Sequence, residues 1–283
     1  MSWYSKYTDV FEKEFDDIPK EVIETIKSNL KRFKCDNPVA SVVVIAHNEQ
    51  NTLVSCLWAL SESICDFPIE IIGVNNNSTD RTAEVFDALG VKWFWEERQS
   101  CGYARQCGLD HAKGVYYISI DSDIIYPPLY IQTMVDHLRA PGIIAVSSRY
   151  SYIPDVNHPR LALKVYEFAR DIHIFLQSFQ RPEMSVRGGV FAYAINAGRA
   201  VGYRVEIKVG EDGSMALGLK QYGRIKLISN RRSRAATFTR TLDAKGSIFV
   251  NLIMAIRKYV GSPSRYFIKK DKYEDVESNL LNP

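Results

Sequence analysis

Two aspartates separated by one serine, Asp121 and Asp123, could together hold a divalent metal ion. The preceding residues 115–120 are mostly β-branched or aromatic, a composition typical of a buried strand. Side chains two apart on an extended chain project to the same face, so we expect both carboxylates in one crevice at the strand's carboxyl end. Hard oxygen ligands there suit Mg²⁺ or Mn²⁺, which completes its shell with water and substrate phosphates. From these residues alone, a polar turn after a strand is the alternative.

Alternating strands and helices must position this acidic pair. Residues 40–46 form a near-continuous apolar run, which is typical of a central parallel strand covered on both faces. The pattern then predicts, in order, a helix opening at His47-Asn48-Glu49, a strand over 69–74, a helix over 83–89, a strand over 91–95 and a helix over 102–112. This alternation predicts an α/β fold with a doubly wound, mostly parallel sheet flanked by helices.

Helical extensions are expected at both ends of the chain. Apolar residues at helical spacing predict an N-terminal extension over residues 1–38 with a break at Pro19, and a partner-binding arm is its alternative. The main domain is predicted over 39–232, including an amphipathic segment at 161–179. Residues 233–283 are predicted to form a basic C-terminal helical segment packed on the domain.

Charge and cysteine content narrow the classes of function. The net charge is +3, but Asp243 is the only acidic residue between Lys220 and Lys270. Five cysteines without a Cys-x-x-Cys pair indicate neither a disulfide framework nor a zinc site. The charged N-terminal segment lacks the apolar core of a signal peptide, and no apolar run is long enough to span a bilayer, so we expect a cytoplasmic protein.

The basic C-terminal region also suggests a partner. Together with the short apolar run at 248–256, it predicts peripheral contact with the anionic inner face of a membrane. The alternative is that this run belongs to the core and that the basic residues face a phosphate or solvent. We expect no nucleic-acid partner.

Several motifs occur in one order along the chain: Val42-Val-Val-Ile-Ala-His-Asn-Glu49, Val74-Asn-Asn-Asn-Ser-Thr-Asp80, Gly102-Tyr-Ala-Arg-Gln-Cys-Gly108, Asp121-Ser-Asp123 and Gly210-Glu-Asp212. In order and spacing they resemble the inverting family 2 glycosyltransferases of the GT-A fold. The resemblance covers roughly residues 41–232 and implies a nucleotide-sugar donor, a Mg²⁺ or Mn²⁺ cofactor and a role in polysaccharide biosynthesis.

The resemblance also implies which residues bind the nucleotide. The segment Ala46-His47-Asn48-Glu49 would line it, although Asn48 and Glu49 alone could simply cap a helix. Asn75 stands where the family usually has an aspartate that accepts from uracil N3–H. By the same likeness, Arg105 would meet a phosphate or a base edge, with a solvated surface arginine as its alternative, and Asp121 and Ser122 would lie at the nucleotide.

Catalytic and metal-binding roles are implied in the same way. Asp123, with Asp121, would hold the metal at the donor diphosphate. Asp212 would be the general base, kept ionised by a helix N-terminus and the nearby metal. The remaining donor and acceptor contacts would come from Glu211, which would orient the acceptor, from Gly188 and Gly189, where bare backbone can approach the donor sugar, and from Arg231 and Arg232 near the diphosphate. A bend in a strand and an exposed basic loop are the alternatives for the glycines and the arginines.

The predicted function is therefore metal-dependent, inverting transfer of a sugar, preferably from a UDP-sugar, to a hydroxyl of a glycan or polyprenyl-linked acceptor. A GDP-mannose-type donor and a non-catalytic nucleotide-sugar-binding protein are the alternatives. A sugar-phosphate nucleotidyltransferase would require a Gly-rich loop after the first strand, where His47-Asn48-Glu49 stands. A dinucleotide-binding dehydrogenase is disfavoured because no Gly-x-Gly-x-x-Gly follows a strand.

Overall fold

The computed structural model describes residues 2–243 and 279–281. The helices in these ranges are α1 Ser5–Thr8, α2 Lys20–Leu30, α3 Leu53–Ser61, α4 Thr82–Leu89, α5 Cys101–His111, α6 Tyr130–Leu138, α7 Arg160–Gln180, α8 Ile195–Val201, α9 Glu211–Leu219 and α10 Arg240–Asp243. The strands are β1 Ala40–Ala46, β2 Ile69–Asn76, β3 Lys92–Glu96, β4 Tyr116–Asp121, β5 Ile124–Ile125, β6 Ile143–Ser147, β7 Tyr150–Tyr152, β8 Phe191–Ala194, β9 Arg224–Leu227 and β10 Ala235–Thr237.

A seven-stranded sheet in the order β3-β2-β1-β4-β8-β6-β9 forms the centre of the fold. Its strands pair in parallel except β8, which runs antiparallel to both β4 and β6. Ala46 pairs with Asn75, and Ile45 pairs with Asp121. The carboxyl ends of β1, β2 and β4 therefore meet at one edge, which confirms the predicted doubly wound, mostly parallel sheet.

Helices bury both faces of this sheet. The strand β1 is buried along its whole length, as its apolar run predicts. The N-terminal extension joins the larger of two core clusters through Val10, Ile18, Ile26 and Leu30. It therefore packs on the main domain.

A second sheet has three strands in the order β5-β10-β7, and its strand β5 directly follows the acidic pair in the chain. Its central strand β10 follows residue 232, so pairing within the folded domain continues past that predicted boundary. The predicted apolar run at 248–256 lies outside the described residues.

Local geometry differs from the sequence prediction at two loops. The helix expected to open at His47 begins at Leu53, because Asn48 adopts a left-handed conformation with φ of 54°. The strand β4 ends at Asp121, and Asp123 lies in the turn before β5 rather than on an extended chain. No helix in residues 2–243 and 279–281 has the length and apolar character needed to cross a bilayer.

Candidate active site

The loops after β1 and β2 are tied to each other by hydrogen bonds. The backbone N–H of Asn48 donates to Ser78 Oγ at 3.0 Å, and the backbone N–H of Thr79 donates to Asn48 Oδ1 at 2.8 Å. The backbone N–H of Glu49 donates to Thr82 Oγ1 at 2.9 Å. These bonds fix the segment that was predicted to line a nucleotide, and Ala46 before it is buried.

The ring of His47 is held from both sides. Its Nδ1 lies 2.7 Å from the carbonyl oxygen of Asn76, and its Nε2 lies 2.7 Å from the Gln99 side-chain nitrogen. A carbonyl can only accept, so the proton is assigned to Nδ1. The imidazole is thus fixed in orientation at the sheet edge.

Asn75 is buried at the end of β2 with only one half of its amide engaged. Its Oδ1 accepts from the backbone N–H of Ser78 at 3.1 Å. Its Nδ2 is buried without a hydrogen-bond partner among the described residues. The group left for a ligand is therefore a donor, which suits a carbonyl oxygen and not an N–H.

Arg105 on α5 joins two distant acidic segments. Its side chain is 3% exposed, and it donates through Nη1 to Ser119 Oγ at 2.6 Å and through Nη2 to Asp121 Oδ1 at 2.9 Å. Its Nε lies 3.0 Å from Asp212 Oδ1. The guanidinium therefore pairs with the protein's own carboxylates and is not a solvated surface arginine, and its predicted contact with a phosphate or a base edge stays a prediction.

Asp212 lies in the first turn of α9, next to a cavity. Gly210 precedes the helix with φ of 102°, a conformation that glycine adopts without steric cost. Burial raises the pKa of Asp212, Arg105 opposes the rise, and the neighbouring charge of Glu211 adds to it. Burial is the largest influence on this pKa, and it acts against the ionised form expected from the sequence.

The cavity beside Asp212 has a volume of about 450 Å³. Its walls come from three parts of the chain that are far apart in sequence. The lining residues include Glu183, Arg187, Gly188, Ile207, Glu211 and Asn279. Glu211 is buried, and its carboxylate lies 3.6 Å from Arg105 Nε. The space could hold an acceptor whose hydroxyl faces Asp212.

Gly188 and Gly189 allow close approach of the charged groups. A Cβ on Gly188 would overlap the Arg105 guanidinium and the Asp212 carboxylate. A Cβ on Gly189 would lie 2.5 Å from Asp121 Oδ2. The buried Tyr126 hydroxyl donates to the Gly189 carbonyl at 2.6 Å and accepts from the Asp121 N–H at 3.1 Å, so it secures the same contact.

The carboxylate of Asp123 lies near two other carboxylates and one arginine. Burial and the charges of Asp121 and Glu49 raise its pKa to about 7, and Arg240 opposes the rise. Arg240 Nη2 lies 3.5 Å from Asp123 Oδ2 and 3.6 Å from Glu49 Oε2. The crowded oxygens fit a divalent cation, which would relieve their repulsion.

The described residues do not form a metal site by themselves. Across residues 2–243 and 279–281, no group of three or more His, Cys, Asp or Glu side chains could hold a metal ion. Mg²⁺ is usually held by one or two carboxylates plus substrate phosphates. Asp123 could hold such an ion together with substrate phosphates, because its carboxylate lies near other carboxylates; the neighbouring Ser122 is buried.

The arginine that reaches Asp123 is Arg240, which sequence reasoning did not assign to the site. Arg231 and Arg232 are exposed on a short 3-10 helix, and Arg231 lines a separate cavity with Trp3 and Arg160. Arg240 lies 117 residues from Asp123 in the chain, so no local motif signals the contact. The only sequence signal for an arginine at the site was the excess of basic residues after Lys220.

Comparison with known proteins gives a family match over the region that carries the site. The family model described as Glycosyl transferase family 2 matches residues 41–197, more than half of the chain. The uncharacterized glycosyltransferase RP339 from Rickettsia prowazekii is 30% identical over 106 residues, which cover 36% of this chain and 33% of the relative. The chain thus matches about a third of the length of such curated relatives.

Solved structures share the fold at low sequence identity. The mannosyltransferase PcManGT from Pyrobaculum calidifontis, in complex with GDP-Man and Mn²⁺, superposes with a TM-score of 0.57 at 15% identity, covering 94% of this chain and 81% of that chain. Glucosyl-3-phosphoglycerate synthase from Mycobacterium tuberculosis, in complex with Mn²⁺, UDP-glucose and phosphoglyceric acid, gives 0.52 at 20% identity, covering 89% and 88%. These likenesses establish the sheet architecture.

Proposed function

Because the chain belongs to glycosyl transferase family 2, we propose that it transfers a sugar from a nucleotide-sugar donor to a hydroxyl of a glycan or lipid-linked acceptor, with inversion. The preferred donor is a UDP-sugar. The observation that carries the proposal is the buried Arg105, which holds the donor-side carboxylate of Asp121 and the acceptor-side carboxylate of Asp212 within reach of one guanidinium. The donor sugar and the acceptor hydroxyl would then meet between Asp121 and Asp212.

Asp212 is the proposed general base. Burial raises its pKa towards neutrality, where a carboxylate is both partly ionised and basic enough to accept a proton from a hydroxyl. Arg105 Nε lies 3.0 Å from Asp212 Oδ1, so its charge attracts the carboxylate. Asp212 would take the acceptor proton as the hydroxyl oxygen attacks the anomeric carbon from the face opposite the diphosphate, so one displacement inverts the centre.

Donor binding is assigned to the edge formed by β1, β2 and β4. The fixed imidazole of His47 offers a flat surface for the nucleoside, and the free Nδ2 of Asn75 offers a donor to a base carbonyl. Asp123 would hold the divalent cation, with Glu49 contributing negative charge. When bound, that ion offsets charge on the departing nucleoside diphosphate.

Arg240 is proposed to share with the metal ion the role of offsetting negative charge at the donor diphosphate. It is the cation nearest to Asp123 among the described residues, and it also lies near Glu49. A guanidinium at this point neutralises the carboxylates before donor and metal arrive. It can then turn to the diphosphate, for which its planar donors are suited.

The donor base has two candidates. A carbonyl that could accept from Asn75 Nδ2 occurs in both uracil and guanine, and PcManGT, with which this chain shares its fold, is in complex with GDP-Man. A GDP-mannose-type donor is therefore the second candidate.

A thermal-shift panel tests the proposal. The full chain is heated with UDP, GDP, CMP and their sugars, with and without Mn²⁺, because a ligand that binds the native state raises Tm. We expect the largest rise with a uridine nucleotide plus Mn²⁺. A larger rise with GDP would select the alternative donor, and no rise with any nucleotide would contradict the assigned donor site. A shift without release of nucleoside diphosphate from any donor would favour a non-catalytic binding protein.

A further inference from the structure

The helix α7 presents its apolar face to solvent. Seven apolar side chains are each between 45% and 75% exposed and, apart from the adjacent Phe175 and Leu176, follow one another at intervals of three or four residues: Leu161, Val165, Phe168, Ile172, Phe175, Leu176 and Phe179. We call this set the α7 stripe. At 1.5 Å per residue it runs for about 27 Å along the helix. A surface helix of a soluble protein normally has the opposite arrangement, with its apolar side inward.

Polar contacts on the inner face fix this orientation. Glu167 accepts from the Ser151 hydroxyl at 2.9 Å and from the backbone N–H of Tyr152 at 2.5 Å. Arg170 and Asp171 are both buried and paired at 2.9 Å. Turning the helix to bury the α7 stripe would break these buried bonds, so the exposed apolar face is the stable arrangement.

Positive charge lies along one side of the stripe. A cavity of about 410 Å³ is lined by Arg149, Lys164 and Arg234 together with apolar members of the stripe. Both acidic groups of this cavity are already engaged, Glu167 as described above and Asp171 by ion pairs with Arg149 at 3.5 Å and with Arg234. The Nε of Arg149 is buried without a hydrogen-bond partner among the described residues. Three basic and two acidic side chains therefore leave the cavity with an excess of one positive charge next to an apolar surface.

We propose that the α7 stripe lies in the headgroup region of an anionic membrane, with Lys164, next to the ion-paired Arg149 and Arg234, facing lipid phosphates. Apolar side chains in the interface and basic groups at the phosphates are the features that hold an interfacial helix. A two-fold interface with a second copy fits the surface less well, because each copy would bring the same basic side to a shared contact.

This placement specifies the acceptor, and that step rests on the proposed function. The short 3-10 helix Pro182–Ser185 follows α7 directly, and Glu183 and Met184 within it line the cavity beside Asp212. The polypeptide thus passes from the membrane-facing helix to the wall of the acceptor cavity within a few residues. The acceptor class that fits is a lipid-linked glycan, whose hydroxyl would reach Asp212 while its lipid stays in the bilayer.

Vesicle co-sedimentation of the full chain tests the membrane contact. We expect binding to vesicles of phosphatidylglycerol and phosphatidylcholine, weakened by salt because the charge attraction is screened, and little binding to phosphatidylcholine alone. The double variant Phe168→Gln with Phe179→Gln should lower the affinity about tenfold or more. Lys164→Gln should lower it about fivefold. The matched control Ile64→Gln replaces an apolar residue of similar exposure outside α7 and should have no effect.

Other results would overturn the proposal. No binding of the wild type to anionic vesicles at low salt would do so, as would equal losses in the double variant and in Ile64→Gln. Arg257 and Lys258 directly follow the apolar run at 248–256. Binding that is lost with Arg257→Glu and Lys258→Glu but retained in the double variant would assign the contact to the basic C-terminal region. Dimers that the double variant converts to monomers, without vesicle binding, would show an interface between copies.

The proposed function is tested separately in the same samples. An unchanged Tm and an unchanged shift with nucleotide and Mn²⁺ would show that the variants fold and keep the donor site. Loss of vesicle binding with an intact nucleotide shift would therefore concern only the membrane contact. Absence of a nucleotide shift in every sample, including wild type, would instead refute the donor site.

Discussion

Replacing Arg105 by methionine should destabilise the protein strongly and in a pH-dependent way. Methionine keeps much of the aliphatic volume but removes the charge shared by Asp121, Asp212 and Glu211. Removing one partner of a buried ion pair costs about 3–5 kcal/mol, because the remaining charge stays buried. We expect a loss in that range at pH 8.5 in urea unfolding experiments followed by fluorescence.

The loss should shrink at pH 5.5. Burial raises the pKa of Asp212 and Arg105 opposes the rise, so without the guanidinium the pKa of Asp212 should be higher still, and at low pH this carboxylate takes up a proton in the folded state and relieves the uncompensated charge. The control Arg98→Met removes an exposed arginine paired with Glu96 at 2.9 Å and should cost much less. Equal losses for the two variants, or a loss at Arg105 that does not depend on pH, would refute the role assigned to this arginine.

Three further predictions follow from the same geometry. Asp123→Ala should fold normally but lose the Mn²⁺-dependent part of the Tm rise given by nucleoside diphosphate; an unchanged metal dependence in thermal shift would count against it as metal ligand. Gly188→Ala should cost about 1–3 kcal/mol in urea unfolding, because its Cβ overlaps Arg105 and Asp212; an unaffected stability would show that these groups move freely. Turnover should rise with pH below neutrality, because burial raises the pKa of Asp212 and only the ionised form accepts a proton; a pH–rate profile flat from pH 5 to 8 would contradict this.

The sheet could be predicted because its signals are local. The run at 40–46 is apolar except for Ser41, as is typical of a strand covered on both faces, and its predicted bounds agree with β1. The helix after it was placed too early, since Asn48 and Glu49 favour helix starts but here bond to the neighbouring loop instead. Whether such residues cap a helix or bond to a neighbouring loop depends on the tertiary structure, which the local sequence does not reveal.

The charged connections could not be predicted, because they join residues far apart in the chain. Arg105 reaches Asp212 across more than a hundred positions, and nothing near Arg105 in the sequence distinguishes a buried guanidinium from a solvated one. The helix α7 illustrates the same limit. Its periodicity predicted an amphipathic segment, but the face turned inward is set by the partners of Glu167 and Arg170 on β7.

Single-turnover measurement on Asp212→Asn tests the central claim most directly. Asparagine keeps the shape of the side chain but cannot accept the proton, and general-base catalysis contributes about 10²–10⁴-fold. With the donor that gives the largest thermal shift, we expect nucleoside diphosphate release to slow by about that factor while the donor Kd stays near the wild-type value. An unchanged release rate, or a loss confined to donor affinity, would contradict Asp212 as the base.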